Sequence, residues 1–308
     1  MEENNEKQAE EIIRQRESLG KASHLQQVEK EDTAIENIGW VPIKLETLPS
    51  QGIFYPVGTQ ILIRAARGSE IRHWSSLDEE DILSIDDALS RIVDMCCRVR
   101  FPGSPGIFKD IKEIDRFFIV FAIREITFVK GQNTLNATFE CTSCGKKDTR
   151  EIKKEMLKYY TAPEELQKRF SHEERCFHLK LAADGKATGE EIKLYLPSIG
   201  VMKFLTTLWK EKRQNKQEVD LAFSKWAPFL FPDWRSLNEN SYTHVSQDSM
   251  MWSPDKISVV DWFVEEMQKS IKPEVTHKCG GCGTEVTAPL NFRVKSIFLV
   301  PDITGKLL

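Results

Sequence analysis

No run of apolar residues approaches the roughly 20 that a membrane-spanning helix needs. The opening stretch from Met1 to Glu11 is polar and acidic, without the basic start or apolar core of a secretory signal. Together these two absences predict a soluble protein made and kept in a reducing cytosol. Positive charge is not in excess either: 43 Lys and Arg face 47 Asp and Glu, for a net charge of −4. That balance gives no support to a general nucleic-acid binder, although a local basic patch stays open. The phosphate loop, the dinucleotide-binding glycine motif, the zincin motif and the nucleophile elbow are all missing. No stretch assembles a nucleophile, a base and an oxyanion hole, so no enzyme activity is expected.

What is present suits a folded chain. Hydrophobic residues make up 40% and charged residues 29% of the 308 positions, which excludes collagen-like, wholly disordered and small disulfide-rich classes. The length allows one large domain or two ordinary ones. Three regions are predicted. Residues 1–38 form a polar arm with ten acidic and five basic residues. It reads as a solvated tail or as a helical arm that orders on a partner through Ile12, Ile13, Leu19, Leu25, Val28 and Ile35. Residues 39–160 and 161–308 follow as two α+β regions. The expected fold class is α+β: helices packed with short antiparallel strands, plus a zinc-ribbon-like site joining mid-chain and C-terminal knuckles.

Prolines and glycines forbid a long helix between Trp40 and Ile63, and Gln60–Ile63 reads as a strand. Ser76 to Glu79 fits a capping box. The apolar spacing from Ile82 to Cys96 then predicts a helix, ended by the Pro and Gly residues at 101–106. A second helix should carry Ile114, Phe117, Phe118 and Phe121 on one side. Further helices are expected over 163–173, Val201–Lys212, Glu218–Trp226 and from Ser253, whose Ser-Pro-Asp start suits a helix N-terminus. Strands are expected at Cys176–Leu181, at Ile192–Leu196 and around both cysteine pairs, with a last apolar stretch at 296–301. Leu48-Pro49-Ser50-Gln51-Gly52 is echoed by Leu196-Pro197-Ser198-Ile199-Gly200, each followed later by a CxxC and a glycine. The echo reads as an old duplication or as coincidence between turn-forming residues.

Four of the seven cysteines form two such pairs, Cys141/Cys144 and Cys279/Cys282. In a reducing compartment, CxxC pairs point to metal before disulfide. Each can form a knuckle, a tight turn that aims two thiolates at one ion. Two knuckles make a closed tetrahedral site for structural Zn2+, which stabilises and leaves no open position for catalysis. A long intervening segment does not forbid this, because closure cost grows only logarithmically with length. Separate redox-active pairs and unmetallated thiols are the alternatives.

Other candidates have plainer readings. His172, Cys176 and His178 cluster in sequence but straddle an expected helix–strand boundary, so they need not converge. His277 could be a spare ligand beside Cys279. Cys96 and Cys97 read as small core residues on a helix. The acidic run at 78–81 reads as a helix start. The stretch from Lys146 to Lys158 reads as a solvated face, and the aromatic segment at 227–234, with Trp252, as core rather than surface.

Leu48-Pro49-Ser50-x-Gly52-x-x-Tyr55-Pro56 precedes an extended stretch, an acid-capped helix, a helix with Asp115-Arg116 and Arg124, a CxxC and a final CxxC. Over roughly residues 40–300 this pattern resembles the baseplate hub protein family of T4-like contractile-tailed phages. The resemblance implies a structural component of the tail baseplate hub that acts by protein–protein binding during tail assembly. Its partners would be other hub and wedge proteins, with no small-molecule substrate and no nucleic acid. Its location would be the host cytoplasm during assembly and then the virion tail. The aromatic segment favours a permanent subunit with apolar interfaces. A transient hub assembly chaperone and a zinc-ribbon nucleic-acid-binding protein are the alternative readings.

Overall fold

The computed structural model describes residues 39–75, 82–128, 136–152, 163–183, 186–271 and 274–289. The arm at 1–38, the box at Ser76–Glu79, the acidic run at 78–81, the basic stretch beyond 152 and the segment at 296–301 lie outside the described residues. Contacts divide the chain into two units, Met1–Trp40 and Val41–Leu308, and among the described residues the second holds the helices and all but the first residue of the sheets.

The first half of that unit is built on four antiparallel strands in the order β1 (Trp40–Ile43), β2 (Gln60–Arg64), β3 (Cys97–Phe101), β4 (Ser104–Pro105). Between β2 and β3 the chain forms α1 (Gly68–Ser75) and α2 (Ile82–Cys96). Helix α2 buries Ala88, Ile92, Val93 and Cys96, the face its spacing predicts. It does not run on to the prolines. Cys97 opens β3 instead, because residues 97–100 pair with Ile63 to Gln60 across the sheet. Cys96 and Cys97 are both buried, but on different elements.

The spacing predicts one apolar side for helix α3 (Glu113–Thr127). The helix is instead buried nearly all round, from Ile114 through Phe118 to Ile123, and it encloses Glu113, Asp115 and Arg124 as well. A helix apolar on every side belongs inside a core, and α3 supplies residues to both apolar clusters of the fold. A hairpin of β5 (Asn136–Glu140) and β6 (Lys147–Glu151) follows.

In the second half, the helix expected over 163–173 is a single turn, α4 (Glu164–Gln167). Phe170 then pairs with Phe177, so β7 (Phe170–Ser171) joins β8 (Cys176–Ala183) and β9 (Lys186–Tyr195) as a three-stranded meander. Four helices follow it, α5 (Ile199–Gln214), α6 (Leu221–Leu230), α7 (Glu239–Ser249) and α8 (Pro254–Ile271), of which α6 packs on β9 and α8 on β8. Ser198 caps α5 by accepting the Val201 amide at 3.3 Å, and Asp220 caps α6 through the Phe223 amide at 3.0 Å. Ala227, Phe229 and Phe231 are buried. The aromatic segment is therefore core, and its support for apolar intersubunit contacts falls away. The hairpin β10 (Glu274–Lys278) and β11 (Glu285–Pro289) closes the described chain.

The halves are not separable packings. Phe54 and Ile114 join the second apolar cluster, while Ile199 joins the first. The backbone ties them too: Glu113 N–H donates to Pro197 O at 2.9 Å, and Ile199 N–H donates to Ile111 O at 2.8 Å. Among the described residues no helix is long and apolar enough to cross a membrane.

Candidate metal centre

Each CxxC sits in the turn of a two-stranded hairpin, and the two hairpins repeat one another. Every strand boundary of β5–β6 recurs 138 positions later in β10–β11. The turns share one hydrogen-bond pattern. Cys141 N–H donates to Lys146 O and Gly145 N–H to Cys141 O; Cys279 N–H donates to Thr284 O and Gly283 N–H to Cys279 O, all at 2.8–3.0 Å. Gly145 and Gly283 hold φ of 69° and 74°, left-handed values that suit a residue without Cβ. Cross-strand threonines close both hairpins, Thr138 with Thr149 at 3.0 Å and Thr276 with Thr287 at 2.9 Å.

The hairpins face each other and bring the four sulfurs together. Cys141 Sγ lies 3.6 Å from Cys282 Sγ, and Cys144 Sγ lies 3.7 Å from Cys279 Sγ. All four ligand atoms lie within 4.8 Å of one another. A disulfide would need about 2.0 Å. Metal–thiolate bonds of about 2.3 Å set the edges of a tetrahedron at about 3.8 Å. Spacing and donor set thus fit a single metal ion. Cys141 and Cys279 are buried, while Cys144 and Cys282 reach the surface.

The surroundings favour the thiolate at Cys282 and Cys279. The Thr284 hydroxyl and amide hold Cys282 down to about 6, with the neighbouring sulfurs assisting. The amides of Cys282 and Gly281 lower Cys279, the latter from 3.3 Å. The Lys146 amide also pulls Cys144 down, but the sulfurs of Cys282 and Cys279 outweigh it and push that thiol up to about 12. A cation at the centre favours ionising all four. Gly281 leaves room for this: a Cβ there would stand 2.8 Å from Lys146 Cδ and 3.5 Å from Cys144 Sγ. Asp148 of β6 accepts the Gly280 amide at 3.0 Å, so the hairpins are also joined outside the sulfurs. The role of Asp148 has no signature in the sequence, because its partner is remote.

His277 is not part of the cluster. It is buried with its ring tilted at 45° against Phe139, centroids 4.6 Å apart. His172 lies exposed against Phe170. Cys176 and His178 do converge, but with Glu174 in place of His172.

The motif residues Ser50 and Tyr55 meet Asp115 of α3. Ser50 N–H donates to Asp115 Oδ1 at 2.8 Å and Tyr55 O–H to Oδ2 at 2.7 Å, while Lys112 N–H donates to the Tyr55 oxygen at 3.0 Å. All three of Ser50, Tyr55 and Asp115 are buried. Burial pushes the Asp115 carboxyl up to about 6 against the pull of those hydrogen bonds. Beside it, Arg116 pairs with Glu113 and Asp86, both at 2.6 Å. Comparison of the chain with protein families, with characterised proteins and with solved structures finds no match.

Proposed function

We propose that this chain is a structural component of a contractile phage tail baseplate hub, stapled by zinc and working through protein–protein contacts. Four sulfurs at tetrahedral spacing carry the zinc reading. Thiolate softness selects zinc among abundant divalent ions, and a four-thiolate shell is closed, so the ion stabilises rather than reacts. The phage reading rests on the sequence resemblance, whose most specific parts are the Leu48–Pro56 element and the two CxxC pairs. Within the matched stretch, Ser50 and Tyr55 of the Leu48–Pro56 element hydrogen-bond the buried Asp115. The pattern thus reads as a folding constraint on the scaffold rather than as a catalytic site.

Quantitative mass spectrometry of purified virions and of tail-assembly intermediates tests the proposal. A fixed copy number in finished particles is expected. Presence in intermediates alone would replace the subunit by an assembly chaperone, and absence from both would overturn the phage reading. Salt-dependent binding of DNA or RNA by the purified chain would favour a nucleic-acid role instead.

A further inference from the structure

We propose that Glu174, Cys176 and His178 form a second metal site, for zinc held by three protein ligands with a fourth position left to water. Cys176 and His178 are alternate residues of β8, so their side chains leave the same face of the sheet. The turn between β7 and β8 returns Glu174 onto that face.

The three donor atoms stand at the corners of one triangle. Cys176 Sγ is 3.4 Å from His178 Nε2 and 3.6 Å from Glu174 Oε2, and His178 Nε2 is 3.2 Å from the same Glu174 oxygen. For zinc bonds of about 2.3 Å to sulfur and about 2.0–2.1 Å to nitrogen and oxygen, the edges of a tetrahedral face are about 3.3–3.6 Å. The triangle matches that face.

The outer shell matches as well. A metal-bound imidazole usually donates its other ring N–H to a carboxylate, which fixes the ring and its tautomer. His178 Nδ1 contacts Glu191 Oε1 of β9, leaving Nε2 to face the sulfur and Glu174. Lys193 Nζ donates to the same Glu174 oxygen at 2.6 Å and so orients the carboxylate toward the triangle. One thiolate and one carboxylate neutralise a divalent ion, and Lys193 offsets Glu191.

A cysteine nucleophile fits these residues poorly. The Cys176 side chain is fully buried and stands beside a carboxylate, and both features oppose a free thiolate. A cation reverses both objections. The site shares no ligand with the four-cysteine centre and does not depend on the phage reading.

The test is metal content of the full chain after zinc loading and desalting, followed by cobalt(II) substitution to read thiolate-to-metal charge transfer. Wild type is expected to hold two ions per chain. His178→Gln, Glu174→Gln and Cys176→Ser should each hold one, halving the content while the strong four-thiolate cobalt signal persists. Cys282→Ser should lose that signal and keep the weaker one-thiolate signal. The partly exposed Glu174 and His178 keep the test valid if Cys176→Ser fails to fold. One ion per chain in wild type, or a content that His178→Gln and Glu174→Gln leave unchanged, would overturn the second site. Full metal content in Cys282→Ser would instead overturn the four-cysteine centre, so the two failures are distinguishable.

Discussion

Stability should rise with free zinc, and the slope can be worked out from the geometry. Cys144 and Cys279 lie 135 positions apart in sequence. In the unfolded chain, closing a loop of that size costs about 5 kcal/mol, so an unfolded molecule offers an ion one knuckle at a time. The folded chain offers four cysteine sulfurs already within 4.8 Å. An ion that prefers the folded state adds about 1.4 kcal/mol for each tenfold rise in free metal, and about 4 kcal/mol at a thousand times its Kd. With a urea m-value of about 3 kcal/mol/M, the midpoint should move by about 1.3 M over that range. The assay is urea unfolding of the His178→Gln chain, which isolates the four-cysteine ion, in buffers of fixed free zinc. Cys282→Ser added to that background should flatten the dependence, and because Cys282 is exposed it removes a ligand with little loss of packing. A midpoint that ignores free zinc would refute the reasoning. So would an unchanged slope in the double variant.

Other outcomes follow from single contacts. Tyr55→Phe removes the hydroxyl that serves both Asp115 and the Lys112 amide, for a loss of about 3–4 kcal/mol by chemical denaturation at pH 8; a loss under 1 kcal/mol would show that the bonds do not matter. Burial raises Asp115 from 3.8 to about 6 and Glu113 from 4.5 to about 7, so the folded state binds more protons than the unfolded one from about pH 4 to 7. Their contribution is therefore present at the acid end and is lost as pH rises through that window. Urea midpoints of the Cys282→Ser chain should show this, and Asp115→Asn should weaken the trend. Gly200→Ala places a Cβ 2.4 Å from Trp234 Cγ, an overpacking cost of about 1–3 kcal/mol that exceeds the gain in helix propensity; thermal unfolding would read it. Gly145→Ala meets no atom within 4 Å but keeps a left-handed φ, so it should cost about 1–2 kcal/mol and weaken zinc binding by competition with a chelator.

The four cysteines were legible because CxxC spacing and a following glycine are local features. The start of α8 was legible for the same reason: Ser253 accepts the Lys256 amide at 3.3 Å. What the sequence concealed depends on remote partners. Residues 97–100 extend a helical pattern until β2 claims them as a strand. Residues 170–171 do the same until β8 pairs with them. The face of α3 that holds Asp115 looks polar, and it is buried because Ser50 and Tyr55 satisfy the carboxylate from 65 and 60 positions away. Glu174 escaped notice because a tight turn, not a periodic spacing, carries it back to Cys176 and His178.

The recurrence of one hairpin 138 positions later bears on dilution. A chain with a single hairpin would own half of a tetrahedral shell. It could complete the shell only by meeting another copy, and its metal affinity would fall with protein concentration. With both halves on one polypeptide, the second pair of thiolates arrives at a fixed effective concentration. One molecule among few can then close its shell as well as one in a crowd, before it has met any neighbour.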